Sequence, residues 1–135
     1  MKPTVDSNLP ILNRDELIDR MMGSVQMAER MLNRFLDASE AECDALESTA
    51  RMGDVDELIS LAHRHKGTAQ TLSTPRIAEI AGRLEKRAAT DPTSELLGLI
   101  DLIRRSHAEV REAFGTGLES NDDPTVGQEA GIQRS

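Results

Sequence analysis

Residues 58–72 read LISLAHRHKGTAQTL, and the way this stretch winds decides the fold. At about 100° per residue, a helix lines up Val55, Leu58, Leu61, Ala62, His65, Ala69 and Leu72 as one apolar stripe. His65 falls on the buried side. His63, Lys66, Gly67 and Gln70 gather opposite it, within a sector of roughly 100°. A solvent-facing histidine with a lysine three residues on and a glycine four residues on reads as chemistry rather than packing. It is the strongest functional signal in the chain.

Outward from that stretch the pattern stays helical. A first short helix is expected from Arg14 to about Met22, with Asn13 as its cap and Glu16 completing a capping box. Gly23 stops it and Ser24 caps the next. The second helix runs from Val25 to about Met52, stepping through Ala28, Met31, Leu32, Phe35, Ala38, Ala45 and Leu46 at helical spacing. Gly53 ends it, and Asp54 with Glu57 opens the third, which ends near Leu72. Pro75 suits the first position of a fourth helix, capped by Thr74 and running to about Ala89, with Ile77, Ile80, Ala81 and Leu84 inward. After Asp91-Pro92, a fifth helix from about Ser94 to Phe114 turns Leu96, Leu97, Ile100, Ile103, His107 or Val110, and Phe114 inward.

Four amphipathic helices joined by short turns predict an all-α protein. The expected architecture is an antiparallel up-down four-helix bundle over residues 10–114, with the short first helix across one end. Residues 1–9 read as a flexible lead. Residues 115–135 lack periodicity and read as a disordered tail.

Composition agrees with helices. Of 135 residues none is Trp or Tyr, and the only aromatics are Phe35 and Phe114; no β-branched alternation lasts long enough for a strand. The formal net charge of −8 argues against nucleic acid as a partner. The charge is uneven. Residues 37–57 are rich in carboxylates, whereas residues 63–87 carry Arg64, Lys66, Arg76, Arg83, Lys86 and Arg87, a region that would draw acidic or phosphorylated groups.

The single cysteine, Cys43, excludes an internal disulfide and reads as an inert apolar residue on a helix seam. A metal site on His63 and His65 is disfavoured, because positions two apart on a helix point about 160° from each other. His65 is expected to be core-facing with a local hydrogen bond, and His107 structural or solvated. The methionines at 21, 22, 27, 31 and 52 read as core filler. No segment is apolar enough to span a membrane and the start has no signal core, so a soluble cytoplasmic protein is expected.

The exposed face of the third helix has the makings of a nucleophilic site. A neutral imidazole has a nucleophilic ring nitrogen, and to reach a bulky partner it must project above low surroundings. Gly67 supplies that clearance, at a cost of about 1 kcal/mol in helix propensity relative to Ala; the alternative is that it permits a close helix crossing. Lys66 sets a positive charge where phosphoryl oxygens would gather. Gln70 is within reach of a ring nitrogen or a transferred oxygen. Ile59, one turn before His63, would form an exposed apolar docking spot, with Arg64 beside it.

Residues 62–69, AHRHKGTA, resemble the phosphoacceptor segment of histidine-containing phosphotransfer (HPt) domains, whose usual form is A-H-x-L-K-G-[ST]-[AS]. The resemblance extends upstream through ALESTARMGDVDELISLAH and downstream through TLSTPRIAEIAGRLEKRA, where a bundle helix ends in the Leu84-Glu85 pair. PILNRDELIDRMMG resembles the short opening helix, so the likeness covers roughly residues 10–114. Two positions depart from the pattern. His65 stands where leucine is usual, which would loosen the bundle or bias the reactive ring, and Ser73-Thr74 stands where Gly-Ala is common.

The resemblance implies a phosphoryl carrier in two-component phosphorelays, with His63 as phosphoacceptor, Lys66 as its charge neighbour and Gly67 as the clearance position. The implied partners are response-regulator receiver domains and a hybrid sensor kinase, with Mg²⁺ supplied by the receiver and no cofactor or metal in this chain. No nucleotide-binding loop is present, so a carrier is expected rather than an enzyme, and a monomer, since one chain makes a full bundle. Two rivals remain. One is a bundle that binds a receiver or other signalling partner without accepting phosphate; the other is a kinase fragment whose catalytic domain acts in trans.

Overall fold

The computed structural model describes residues 9–115, and every regular element among them is a helix: α1 (Arg14–Arg20), α2 (Val25–Met52), α3 (Val55–Thr71), α4 (Pro75–Arg87) and α5 (Thr93–Phe114). The expected lead before residue 9 and the tail after 115 lie outside the described residues.

Local chemistry starts each helix. Asn13, Ser24 and Asp54 each accept a hydrogen bond from the backbone N–H three residues on, at 3.1, 3.0 and 3.2 Å, satisfying a donor that the helix itself leaves free. Gly53 closes α2 in the left-handed conformation, with φ 74°. Thr74 departs from expectation. Its hydroxyl donates backward to the Ala69 carbonyl at 3.0 Å, so α4 begins with Pro75 at its first position and no side-chain cap.

The turn between α3 and α4 is held unusually tightly. Ser73 has φ 56°, a left-handed backbone that favours glycine. It is fixed there by its N–H on the Gln70 carbonyl, and by its own carbonyl accepting from Asn13 N at 2.8 Å. The second of these ties α1 to the turn that follows the His63 helix.

The core is one contiguous cluster. Leu32, Phe35, Leu36 and Leu46 of α2, Leu58 and Ala62 of α3, Ile77, Ile80 and Leu84 of α4, and Leu99, Ile100 and Ile103 of α5 are all buried. Burying each large aliphatic side chain stabilises by about 1.5–3 kcal/mol before entropy is counted. Contacts run α2 to α3, α3 to α4, α4 to α5 and α5 back to α2, closing a ring of four helices with α1 on α2.

The apolar stripe was read slightly off register at its edges. Ala45 is exposed and Leu97 half-buried, whereas Leu36, Cys43 and Leu99 are buried. Met21 and Met31 pack against the core as expected, but Met22, Met27 and Met52 are 95%, 39% and 77% exposed. Met22 stands past the end of α1 with φ 58°, and Met52 is the last residue of α2, beside the turn at Gly53. Cys43 is 1% exposed, and burial pushes its thiol up to about 11, which keeps it unreactive.

Candidate functional site

Four buried residues fix the rotation of α3: Leu58, Ala62, His65 and Ala69 all face the core. Positions 63, 66, 67 and 70 are thereby turned away from it. His63 has a side chain 68% exposed, while His65, two residues on, is 3% exposed.

The exposed ring is not free on both sides. His63 Nδ1 lies 3.0 Å from Glu85 Oε2, and Lys66 Nζ lies 3.0 Å from Glu85 Oε1. Glu85 comes from α4, 22 positions along the chain from His63. One carboxylate therefore spans the histidine and the lysine. The bond to Lys66, reinforced by His63, holds the Glu85 carboxyl below the usual range against its partial desolvation.

That ionisation fixes a tautomer. A carboxylate only accepts hydrogen bonds, so Nδ1 must carry the proton shared with Glu85. In the neutral ring the lone pair then resides on Nε2. A nucleophile at Nε2 would leave positive charge on the ring, and the Glu85 carboxylate is already positioned against it.

The surroundings keep the ring accessible. A Cβ at Gly67 would meet nothing within 4 Å, so this glycine is not spent on a helix crossing and leaves open space one turn from His63. Gly82 has a different use: a Cβ there would lie 3.4 Å from Lys66 Cδ. Its bareness lets the lysine stem lie across α4 on its way to Glu85.

The remaining expected residues divide. Arg64 is exposed beside His63. Gln70 is exposed and makes no side-chain hydrogen bond among the described residues; of the two ring nitrogens of His63, Nδ1 is held by Glu85. Ile59 is half-buried against the core instead of standing free, because it borders the stripe led by Leu58 and Ala62. Glu85 is the residue that sequence reasoning left without a role. The Leu84-Glu85 pair was visible, but its contact with His63 arises only when α3 packs on α4.

His65 belongs to a second, internal network. Its Nδ1 is 2.9 Å from Glu42 Oε1 of α2, and its Nε2 is 2.9 Å from His107 Nε2 of α5. Phe35 packs against both rings, at centroid distances of 5.7 and 4.8 Å. The expected local hydrogen bond is replaced by bonds reaching two other helices, so the polar ring in a leucine slot joins helices rather than loosening them. His107 is structural, at 3% exposure.

The proton order follows from the carboxylate. Glu42 accepts a hydrogen bond from the Nδ1–H of His65, so neutral His65 accepts at Nε2 from His107. His107 Nδ1 is left as a buried acceptor with no partner among the described residues. Burial lowers the pKa of both histidines: His107 to about 3, with the neighbouring Arg111 cation adding to it, and His65 against the opposing pull of Glu42.

Among the described residues no group of three or more His, Cys, Asp or Glu is placed to hold a metal ion, and no helix is long and apolar enough to cross a membrane. The Hpt domain family model matches residues 30–113, well over half the chain and the whole stretch from the second turn of α2 almost to the end of α5. No curated protein and no solved structure matches the chain. On the family match, with an exposed histidine at the expected place in its helix, the chain belongs to the Hpt domain family, the histidine phosphotransfer modules of phosphorelay signalling.

Proposed function

We propose that this protein is a phosphorelay carrier that receives a phosphoryl group on His63 and passes it between receiver-domain aspartates. The observation that carries the proposal is the Glu85 bridge: one carboxylate contacts both His63 Nδ1 and Lys66 Nζ at 3.0 Å. It favours the tautomer in which Nε2 is the nucleophile.

The transfer is an in-line displacement. His63 Nε2 attacks the phosphorus of an aspartyl phosphate; the N–P bond forms as the P–O bond to the aspartate breaks, and the carboxylate leaves. The proton stays on Nδ1, where Glu85 offsets the positive ring. Lys66 steadies the phosphoryl oxygens, Gly67 leaves room for the receiver, and Ile59, Arg64 and Gln70 flank the docking face. The receiver brings the Mg²⁺ that such a transfer uses. Reversal onto a second aspartate completes the relay.

The ring of four helices supports an antiparallel up-down bundle with α1 across one end, acting as a monomeric cytoplasmic module. The test is exchange with phosphorylated receiver domains and Mg²⁺, following acid-labile, alkali-stable label. Wild-type protein is expected to take up label and His63→Gln none. Receiver binding without label on the wild type would instead identify a binding-only module.

A further inference from the structure

A groove of about 460 Å³ opens on the same face, running from Lys66 and Gly82 along α4 toward α1. Its lining includes Leu9, Pro75 and Ala78, the cations of Arg20, Lys66, Arg83 and Lys86, and the carboxylates of Glu16 and Glu79. Cations are thus concentrated in one concavity of a chain whose net charge is −8. Such clustering focuses a positive field locally although the protein as a whole repels anions.

The pairing of those cations is uneven. Lys86 is exposed and has no ion pair among the described residues. Arg20 meets Glu16 only at 3.7 Å, with both side chains nearly half exposed, an arrangement that contributes little and exchanges readily. Arg83 is held by Glu79 at 3.2 Å within its own helix.

Two further features border the groove. The first turn of α4, at Thr74 and Pro75, lines it without a side-chain cap and without an acidic residue, unlike α1 and α3, which have both. The positive end of the α4 dipole is therefore not neutralised by the chain itself. Ser73 also lines the groove; it is 2% exposed, and its hydroxyl has no hydrogen-bond partner among the described residues.

We propose that this groove is a binding site for a small phosphate-bearing polyanion of diphosphate type. The cavity lies within the range of small-molecule sites and exceeds what one phosphate needs, and its cations are spread along its length. Terminal oxygens would sit toward Ser73 and the uncapped start of α4, with the second charged group between Arg83 and Lys86. Because Lys66 borders both the groove and the His63–Glu85 pair, an occupant competes for the lysine that steadies the phosphoryl group. This last coupling rests on the relay reading; the binding site does not.

The test is a titration of the ¹⁵N-labelled protein at low ionic strength with pyrophosphate, with inorganic phosphate and sodium chloride as separate arms. The expected result is saturable shifts of the Ser73, Ala78 and Lys86 amides with pyrophosphate, weaker with phosphate and absent with matched chloride. Binding should fall at least tenfold in Arg83→Gln/Lys86→Gln, and in Lys86→Glu, at an exposed position, as an independent variant; the amide spectra of all of them report folding directly. Shifts that do not saturate, that chloride reproduces, that persist undiminished in both variants, or that centre on His63 and Glu85 would overturn the proposal. No receiver or phosphohistidine takes part, so this experiment and the relay assay fail independently.

Discussion

Glu85 Oε2 stands 3.0 Å from His63 Nδ1, and the other oxygen of the same carboxylate meets Lys66. The orienting group of the candidate nucleophile thus comes from a neighbouring helix and is itself held in place by Lys66, the lysine we propose to face the phosphoryl group. Replacing Glu85 by Ala should release the tautomer and leave Lys66 without its anchor. The expected effect is phosphotransfer slowed by about tenfold, the lower end of what a hydrogen bond to a charged group contributes. Glu85→Gln, which can still accept from Nδ1, should fall between Ala and wild type. Single-turnover transfer rates at matched receiver concentration check this order.

Gly67 gives a prediction in which folding and function move in opposite directions. Its Cβ position is open space, so Gly67→Ala should stabilise the helix by about 0.5–1 kcal/mol. A longer side chain such as Gln should also fold well, yet obstruct the partner and slow transfer severely. Denaturant midpoints and transfer rates measured on the same preparations separate the two effects.

Much of this arrangement was legible in the sequence because helical periodicity is a local property. The spacing of Leu58, Ala62, His65 and Ala69 places His63 outside and His65 inside without knowledge of any other helix. The helix starts at Asn13, Ser24 and Asp54 were equally local, since each cap bonds three residues on. What could not be read is what depends on how helices meet. Glu85 reaches His63 only through the packing of α4 on α3, and His107 reaches His65 only through α5. Thr74 was expected to cap forward, but the left-handed turn at Ser73 brings its hydroxyl back to Ala69.

Ser73 should be improvable. Its φ of 56° is one that side chains rarely adopt, and its buried hydroxyl has no partner among the described residues. Ser73→Gly removes both costs at the expense of some backbone entropy. A net gain of about 1 kcal/mol is expected, read as an upward shift of the thermal midpoint. A loss of stability would show that the hydroxyl is satisfied in solution.

The buried histidine pair should make stability depend on pH. Burial lowers the pKa of both His107 and His65, so the folded chain resists the protons that the unfolded chain, titrating near 6.5, takes up. The stabilising contribution is therefore fully present above about pH 6.5 and is lost as pH falls toward the folded value of about 3 for His107. Each extra proton bound by the unfolded chain costs about 1.4 kcal/mol per pH unit below 6.5. Unfolding free energies compared at pH 7.5 and 5.5, above the carboxylate range, should show this loss in the wild type. His65→Leu/His107→Leu should flatten it; an unchanged slope would mean that the pair is not held neutral.

The account turns on which atom carries the phosphoryl group. Ring-labelled protein, phosphorylated by a receiver and examined by long-range ¹H–¹⁵N correlation with ³¹P coupling, answers this directly. The account predicts phosphorus on Nε2 of His63, with Nδ1 protonated and facing Glu85. Phosphorus on Nδ1, on His65 or His107, or on no histidine with any receiver tried would contradict it.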